Sequence, residues 1–583
     1  MRLNFLSASA LQVLPFNPAQ SLARSGQHLI YLGLCLSYLF SGILGHQPWK
    51  QDETYIFGIV QHMVESADWV VPTMAGEAFM EKPPLYYWLA SGLVLLLGDY
   101  LNWHDAARLA NPIFMLLTCL ALYRAGNLAW GGNAGRVSVL ALLSCLGLLL
   151  HSHLMLTDVP MLMGFAIALL GLVAYQRQLA SAAAYFGLGV GLAFLAKGLL
   201  ACAVFGLSAI ILPGLFSAWR RRDYGVFLVQ AAAYSAPLLV IWPLFLYWRD
   251  TQLFIEWFWQ NNVGRYLGFA VAKLGAEHKP GFWLAALPWF CFPTLPLVLA
   301  YFVRRGRLIW QEAGWQIAFV VFAVMLGLLQ SAASARDNYA LPLLAALALA
   351  AGPVLQDLPR SIASAADRLS RWLFCSIALI ICLVWLTMLV LGTAPDWPLL
   401  TRHLPADYVM QFKWHDFIMA SGATICALLL WSQVARWSER ILLSWLTGLT
   451  LCWCLLNSLW LDWIDYAKNY QGVYSQFQQK LPRNFSCIAS YNLGESERAM
   501  LRYYTGIISL RLETQAQHDC DLLLVGSYVD QTLAHYQAAN WQLLWQGARP
   551  GDQRERLRLF KIESSSTLAD NFPSDLKLEN EQD

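Results

Sequence analysis

Long apolar runs recur along the whole chain, and they limit its possible folds more than any other feature. Most of these runs have roughly 17–24 residues, and about 20 apolar residues are enough for a helix to cross the hydrocarbon core of a bilayer. Hydrophobic residues make up 58% of the 583 residues, and the mean hydropathy is +0.46, both above the values of ordinary soluble proteins. The sequence therefore predicts an all-α polytopic membrane protein.

The apolar runs predict about thirteen transmembrane spans, the first of which we interpret as a retained anchor because no clear small-residue cleavage site follows it. The predicted spans are 28–45, 106–123, 137–153, 157–175, 182–196, 198–216, 226–248, 281–302, 315–332, 339–356, 372–392, 416–434 and 440–460.

The arginines of the short loops predict the orientation of these spans, because cytoplasmic loops are enriched in Lys and Arg. With a cytoplasmic N-terminus, every cytoplasmic loop contains arginine, and the alternation continues without a break to an external C-terminus. These arginines are Arg124, Arg136, Arg177, Arg220, Arg221, Arg222, Arg304, Arg305, Arg307, Arg360, Arg368, Arg371, Arg436 and Arg440.

Residues 46–105 are predicted to form one long external loop within the membrane domain, residues 1–460. The apolar segment 85–98 is shorter than a transmembrane helix normally is, and counting it as a span would move every later loop to the opposite side of the membrane. We therefore predict a short helix at the membrane interface, where Trp and Tyr are enriched.

The composition becomes more polar after residue 460. The segments 487-CIASY-491 and 522-LLLVG-526 predict buried strands, and 495-ESERAMLRYYTG-506 predicts a helix. Residues 461–562 are therefore predicted to form a small external α/β domain, followed by a disordered polar tail at 563–583. Ten of the twelve cysteines lie in apolar runs, whereas Cys487 and Cys520 lie in this domain and pair only if it faces an oxidising compartment.

Ionisable residues collect on the predicted external side, where charges close to a membrane usually have a function. Cations there would bind phosphate oxygens, a carboxylate would act as a general base, and a carboxylate with a histidine would hold a divalent metal. An acidic lipid-linked substrate fits this set, whereas the net charge of +2 and the absence of Walker or zinc-finger motifs argue against nucleic acid or nucleotide binding. The residues are Asp52, Glu53, Glu81, Lys82, Asp158, Lys197, Arg265, His278 and Arg336.

Each of these residues also has a simpler interpretation. The pair Asp52–Glu53 resembles a solvated loop, and Lys197 resembles a cation that reaches from a span to the interface. Asp158 stands at the start of a span, where capping of the helix explains it as well as chemistry does. His278 alone is typical of a hydrogen-bonded loop histidine, and no role is assigned to His151 or His153.

The string 52-DETYIFGIVQHMVESADWVVPTMAGEAFMEKPPLYYW-88 closely resembles the first periplasmic loop of bacterial GT-C glycosyltransferases. The most similar members are the 4-amino-4-deoxy-L-arabinose lipid A transferases and the wider protein mannosyltransferase family. The resemblance continues at 105-DAARLANPIF-114, 158-DVPMLMGF-165, 262-NVGRYL-267 and 336-RDNYALPLLAALAL-349, and it covers about residues 46–356. The segment 336-RDNY-339 departs from the lysine-rich segment of the relatives.

The resemblance implies a GT-C fold in the bacterial inner membrane and transfer of a sugar from a polyprenyl-phosphate donor at the periplasmic face. Asp52 then corresponds to the base or acceptor-orienting aspartate, and Asp158 to a second catalytic acidic residue. A divalent metal, Zn or Mg/Mn, would be held by Glu81 and His278. The residues that the resemblance places on the donor phosphate are Lys82, Lys197, Arg265, Arg336 and Tyr339.

Two other classes of protein compete with this reading. A transporter or flippase of a lipid-linked substrate predicts charges near the bilayer midplane and often internal repeats, neither of which the sequence has. A non-catalytic scaffold leaves the segment 79-FMEKPPLYYW-88 unexplained. The sequence names neither the sugar nor the acceptor, which is lipid A, another glycan or a protein.

Overall fold

The apolar runs fold as helices, because a segment inside a bilayer must satisfy its own backbone hydrogen bonds. The structure is a computed structural model, and it describes residues 18–270, 278–392, 408–434, 437–514, 520–528, 541–552 and 554–562. Side chains are described from residue 27 onward. The predicted disordered tail, 563–583, and Arg436 lie outside the described residues.

A helix occurs at each of the thirteen predicted spans. Within the residues that the structure describes, seven helices are long and apolar enough to cross a membrane, and a pair that bends by 96°, Phe282–Phe290 and Thr294–Gln311, passes the same test as one span. The seven are Trp103–Trp130, Asp158–Gln176, Tyr224–Arg249, Ala313–Ser331, Arg360–Leu391, Trp414–Val434 and Arg440–Leu459.

The other five predicted spans are shorter apolar helices of 10–17 residues. At about 1.5 Å per residue these apolar lengths are shorter than a typical hydrocarbon core of about 30 Å, so thirteen complete crossings stay a prediction. They are Gln27–Phe40, which is the apolar part of the 23-residue helix Pro18–Phe40, and the helices Ala134–Ser144, Ala182–Lys197, Leu199–Leu215 and Asp337–Ala351. Ala134–Ser144 is followed directly by the short helix Leu146–His151.

The external loop, 46–105, has its own secondary structure. It contains the helix Asp52–Ser66, called here the Asp52 helix, and a small antiparallel hairpin of Thr73–Met74 and Glu77–Ala78. The predicted interfacial helix is Leu85–Leu97. It begins directly after two prolines, which cannot continue a preceding helix, and at about 20 Å it is too short to span.

The C-terminal domain begins after the helix that ends at Leu459 and contains the helices Leu461–Lys468, Gln471–Lys480 and Glu495–Thr505. Its five-stranded sheet has the order Leu510–Arg511, Ile488–Tyr491, Leu522–Tyr528, Glu555–Lys561 and Gln542–Gly547. The first three strands are parallel to one another, and the strand Glu555–Lys561 pairs antiparallel with each of its two neighbours.

Both predicted strands and the predicted helix of this domain are therefore present. Cys487 and Cys520 form a disulfide with Cα atoms 4.7 Å apart, next to the paired starts of two neighbouring parallel strands. The other ten cysteines are free thiols. The pairing fits the predicted oxidising side of the membrane.

The Asp52 helix is anchored to the membrane domain at its first turn. The fully buried Arg108 donates from Nε to Glu53 at 2.9 Å and from Nη1 to Asp105 at 3.0 Å. Its Nη1 also reaches the Ile43 carbonyl at 2.9 Å. A buried arginine with several acceptors satisfies both its charge and that of its partner. Glu53 is therefore a structural residue, and its neighbour Asp52 is held in place.

Candidate active site

A cavity of about 330 Å³ opens between the external loop, the end of the helix Ala182–Lys197 and the segment around residue 265. One part of its wall is charged, with Glu81, Lys82, Lys197 and Arg265. Another part is apolar and contains leucines from the helices Leu199–Leu215 and Ala313–Ser331. A ligand with an anionic group and a hydrocarbon chain matches both parts of this wall.

Glu81 is paired with two cations at the charged end of the cavity. Its carboxylate accepts a hydrogen bond from Arg265, and the Lys82 Nζ lies 3.6 Å away. Burial disfavours the charged carboxylate, but Lys82 and Arg265 outweigh this effect and hold the pKa of Glu81 well below its ordinary value. Glu81 is therefore an anion that fixes two cationic side chains at the cavity wall.

Lys82 also connects the cavity to Asp52. The Lys82 ammonium donates to the Tyr55 hydroxyl oxygen at 2.9 Å, and the Tyr55 hydroxyl donates to Asp52. Burial opposes the charge of Lys82, yet the neighbouring carboxylates of Glu81 and Asp52 raise the pKa of this amine. A phosphate at Lys82 and a carboxylate at Asp52 would therefore be separated by a single tyrosine.

Lys197 belongs to a second ion pair on the same cavity. Its ammonium contacts the carboxylate of Asp158, whose side chain is only 1% exposed, and it lies 4.0 Å from the centre of the Tyr339 ring. The Asn338 amide donates to the other oxygen of Asp158 at 3.2 Å. Both Asp158 oxygens are thus occupied, so its geometry fits the positioning of Lys197 better than a base in contact with substrate.

Arg336 and His278 flank this arrangement. Burial opposes the charge of Arg336, but Tyr339, Asp52 and Tyr55 raise the pKa of its guanidinium, which places Arg336 in the electrostatic field of the site. The Nδ1 atom of His278 lies 2.9 Å from the Ala332 carbonyl. Its Nε2 is buried and has no hydrogen-bond partner among the described residues.

The two predicted metal ligands, Glu81 and His278, have different surroundings in this arrangement. Glu81 is already engaged by two cations, and His278 is not among the residues that line the cavity with Glu81. Within the described ranges, no three His, Cys, Asp or Glu side chains gather closely enough to hold a metal ion. The metal site stays a prediction.

The structure thus brings together most of the predicted site residues from segments about 280 residues apart in sequence. Glu81, Lys82, Lys197, Arg265 and Tyr339 share one cavity. Sequence reasoning missed Tyr55 and Asn338. The spacing of three residues between Asp52 and Tyr55 places both on one face of a helix and would have identified Tyr55, whereas only the folded structure brings Asn338 to Asp158.

Comparisons with known proteins agree with this fold. Residues 81–248 match the family described as dolichyl-phosphate-mannose-protein mannosyltransferase. The crystal structure of ArnT from Cupriavidus metallidurans bound to undecaprenyl phosphate superposes with a TM-score of 0.65 and 17% identity, covering 92% of this chain and 98% of that chain. The same protein in the apo state also gives a TM-score of 0.65 and 17% identity, with 94% and 99% covered.

The fold and these matches agree on a class: the chain is similar to multi-pass membrane glycosyltransferases of the GT-C type. The sequence is also similar to proteins of one particular branch of that class. An undecaprenyl phosphate-alpha-4-amino-4-deoxy-L-arabinose arabinosyl transferase of Serratia proteamaculans is 26% identical over 485 residues, which is 80% of each chain. The protein of the same name in Yersinia enterocolitica is 28% identical over 341 residues, 56% of this chain and 58% of that protein.

Proposed function

We propose that this enzyme transfers a sugar from a polyprenyl-phosphate donor to an acceptor at the external face of the bacterial inner membrane. The observation that carries the proposal is one cavity in which Lys82, Lys197 and Arg265 converge beside an apolar wall. A polyprenyl phosphate has a charged head and a long hydrocarbon chain, and it complements both parts.

The cations have a direct role in the chemistry. When the bond between sugar C1 and the phosphate oxygen breaks, the phosphate takes the electron pair and becomes a monoester dianion. Donors that are already in place stabilise this developing charge, and they do so more strongly in a site that excludes water. The ion pairs with Glu81 and Asp158 hold Lys82, Arg265 and Lys197 in place before the donor binds.

Asp52 is the proposed general base. An acceptor hydroxyl or phosphate oxygen attacks C1 from the face opposite the leaving phosphate, and its proton passes to the Asp52 carboxylate. A single displacement of this kind inverts the anomeric centre. Tyr55 and Lys82 link the base to the phosphate site, so the two ends of the reaction are held at a fixed separation.

The acceptor is lipid A, another glycan or a protein, and the similarity to the two arabinosyl transferases favours a sugar of the aminoarabinose type for the donor. The arginine pattern of the loops supports a cytoplasmic N-terminus and a periplasmic C-terminal domain. Mass spectrometry of lipid A, surface glycans and periplasmic proteins from cells with and without the gene identifies the modified acceptor.

The test of the mechanism is Asp52→Asn in membranes supplied with labelled polyprenyl-phosphate sugar. We expect transfer to fall by about 10²–10⁴-fold, the usual contribution of a positioned general base. Asp99→Asn is the matched control, because Asp99 is an exposed carboxylate of the same external loop. Full activity of the Asp52→Asn enzyme contradicts the proposed mechanism.

The predicted divalent metal is tested separately. Glu81 and His278 would be its ligands, and a bound cation would add to the positive charge on the donor phosphate. Loss of transfer in a chelator, restored by Zn, Mg or Mn, supports this prediction. Unchanged transfer in the chelator contradicts it, and Glu81 then acts only through its two cations.

A further inference from the structure

The helix Glu495–Thr505 of the C-terminal domain, called here the docking helix, packs against the Asp52 helix. Near the start of both helices, the Thr54 hydroxyl donates to the Ser496 hydroxyl at 2.7 Å, and Ser496 donates to the Gln51 carbonyl at 3.3 Å. Thr54 and Ser496 are both buried. The docking helix therefore contacts the residues on both sides of Asp52 in the sequence.

One turn further on, the two helices approach closely. Gly58 faces Ala499, and a Cβ atom built on Gly58 would lie 2.9 Å from the Ala499 Cβ and 3.3 Å from the Met74 side chain. A separation under 3.0 Å between two such carbons requires the backbones to move apart. The distance between the helices is therefore set by the pair of small residues at this contact.

The docking helix also contacts the hairpin that precedes Glu81 and Lys82. The Arg498 guanidinium lies 2.8 Å from Glu77 in the second hairpin strand, and Arg511 lies 3.2 Å from the same carboxylate oxygen. Arg498 is buried, and an ion pair at a buried arginine is more strongly coupled than a fully solvated one. Only a few residues separate Glu77 from Lys82.

We propose that the docking helix positions the proposed base relative to the phosphate site, with Ser496, Arg498 and Ala499 as positioning residues. The inference rests on the proposed function. Asp52 and Lys82 lie on separate segments of the external loop, joined through Tyr55. The docking helix contacts both segments from a domain outside the membrane, and a displacement of about 1 Å between reacting groups costs up to about 10²-fold in rate.

The experiment introduces a steric clash between the two helices in the full-length enzyme and then removes it with a second substitution. Gly58→Ala pushes the two helices apart, and Ala499→Gly removes the atom that it meets. Alanine is a better helix former than glycine, so Gly58→Ala does not weaken the Asp52 helix itself. The kcat and the KM for the donor are measured for both single variants and the double variant.

We expect Gly58→Ala to lower kcat by about tenfold or more with the donor KM changed less than about threefold, because the displaced group is the base. The double variant should recover kcat to within about threefold of the wild-type enzyme. Glu65→Gln is the control, because it breaks another contact with the docking helix, Arg502–Glu65 at 2.6 Å, at the far end of the Asp52 helix. It should leave kcat unchanged.

The failure of this inference is distinguishable from the failure of the proposed function. Wild-type kcat in Gly58→Ala, or a double variant as slow as Gly58→Ala, overturns the positioning role while an inactive Asp52→Asn enzyme still supports the mechanism. A fully active Asp52→Asn enzyme overturns the proposed mechanism, and the positioning of Asp52 with it.

Discussion

The ion pair of Asp158 and Lys197 gives a prediction that separates a positioning carboxylate from a base. In Lys197→Met the Asp158 carboxylate keeps its place, 1% exposed, but loses its cation. If Asp158 serves to hold Lys197, it has no function in this variant and opposes both folding and phosphate binding. Asp158→Asn added to Lys197→Met should then improve the enzyme.

The structure sets the magnitudes. Removing one partner of a buried ion pair costs about 3–5 kcal/mol, and the 14% exposure of Lys197 places this pair near the lower limit. The double variant should recover all but about 1 kcal/mol, because it leaves no uncompensated charge. For the donor, loss of one hydrogen bond from a charged group costs about 1.5–3 kcal/mol, which corresponds to about 10- to 150-fold weaker binding of polyprenyl phosphate.

The assay compares polyprenyl-phosphate affinity, kcat and the apparent Tm in detergent for the wild type, Lys197→Met and the double variant. Lys480→Met, at an exposed lysine of the C-terminal domain, controls for the substitution itself. We expect the double variant to be more stable than Lys197→Met and at least as tight for the donor. A double variant with kcat more than tenfold below that of Lys197→Met refutes the reasoning and makes Asp158 a participant in the reaction.

Three further predictions concern charge and cross-linking. Because the pKa of Glu81 is depressed, its stabilising effect is complete above its unfolded pKa of about 4.5 and is lost only in stronger acid, so the activity ratio of wild type to Glu81→Gln should stay constant from pH 5.5 to 8. Burial and then Arg502 lower the pKa of His62, which lies 3.0 Å from Arg502. Stability should therefore fall as pH drops below about 6.5, and His62→Gln should remove this dependence in thermal scans. Cys487→Ser with Cys520→Ser opens a 33-residue loop and should destabilise the C-terminal domain by about 3–4 kcal/mol, measured by limited proteolysis.

Much of the fold was predictable because the signals are local. Apolar runs identify helices in lipid without knowledge of their neighbours, and the strands Ile488–Tyr491 and Leu522–Tyr528 follow from short apolar segments. The lengths of the helices were less predictable, since loops and breaks such as the one after Ser144 depend on packing.

The candidate site was also only partly predictable from the sequence. The charged residues of the external loop are prominent in an apolar sequence, and the predicted topology puts them on one side of the membrane. The partners of these residues cannot be recognised from the sequence in this way. Lys197 meets Asp158 across 39 residues, and Arg265 meets Glu81 across 184, so the roles of both carboxylates required the folded chain. The sequence interpretation of Asp158 left capping and chemistry open, and the structure adds a third role, the support of a cation.

The charges of the site also balance through the proposed reaction. Lys82, Lys197, Arg265 and Arg336 provide four positive charges, and Asp52, Glu81 and Asp158 provide three negative ones, which leaves one net positive charge for a donor phosphodiester of charge −1. Transfer converts the phosphate to a dianion and moves one proton to Asp52, so the phosphate gains the negative charge that Asp52 loses. For a neutral hydroxyl acceptor the total remains zero at each stage, and a weakly solvated site disfavours any other sum. If the proton of the acceptor escaped to solvent, the site would keep an uncompensated negative charge. A base that is linked through one tyrosine to Lys82, a cation of the phosphate site, therefore suits the reaction.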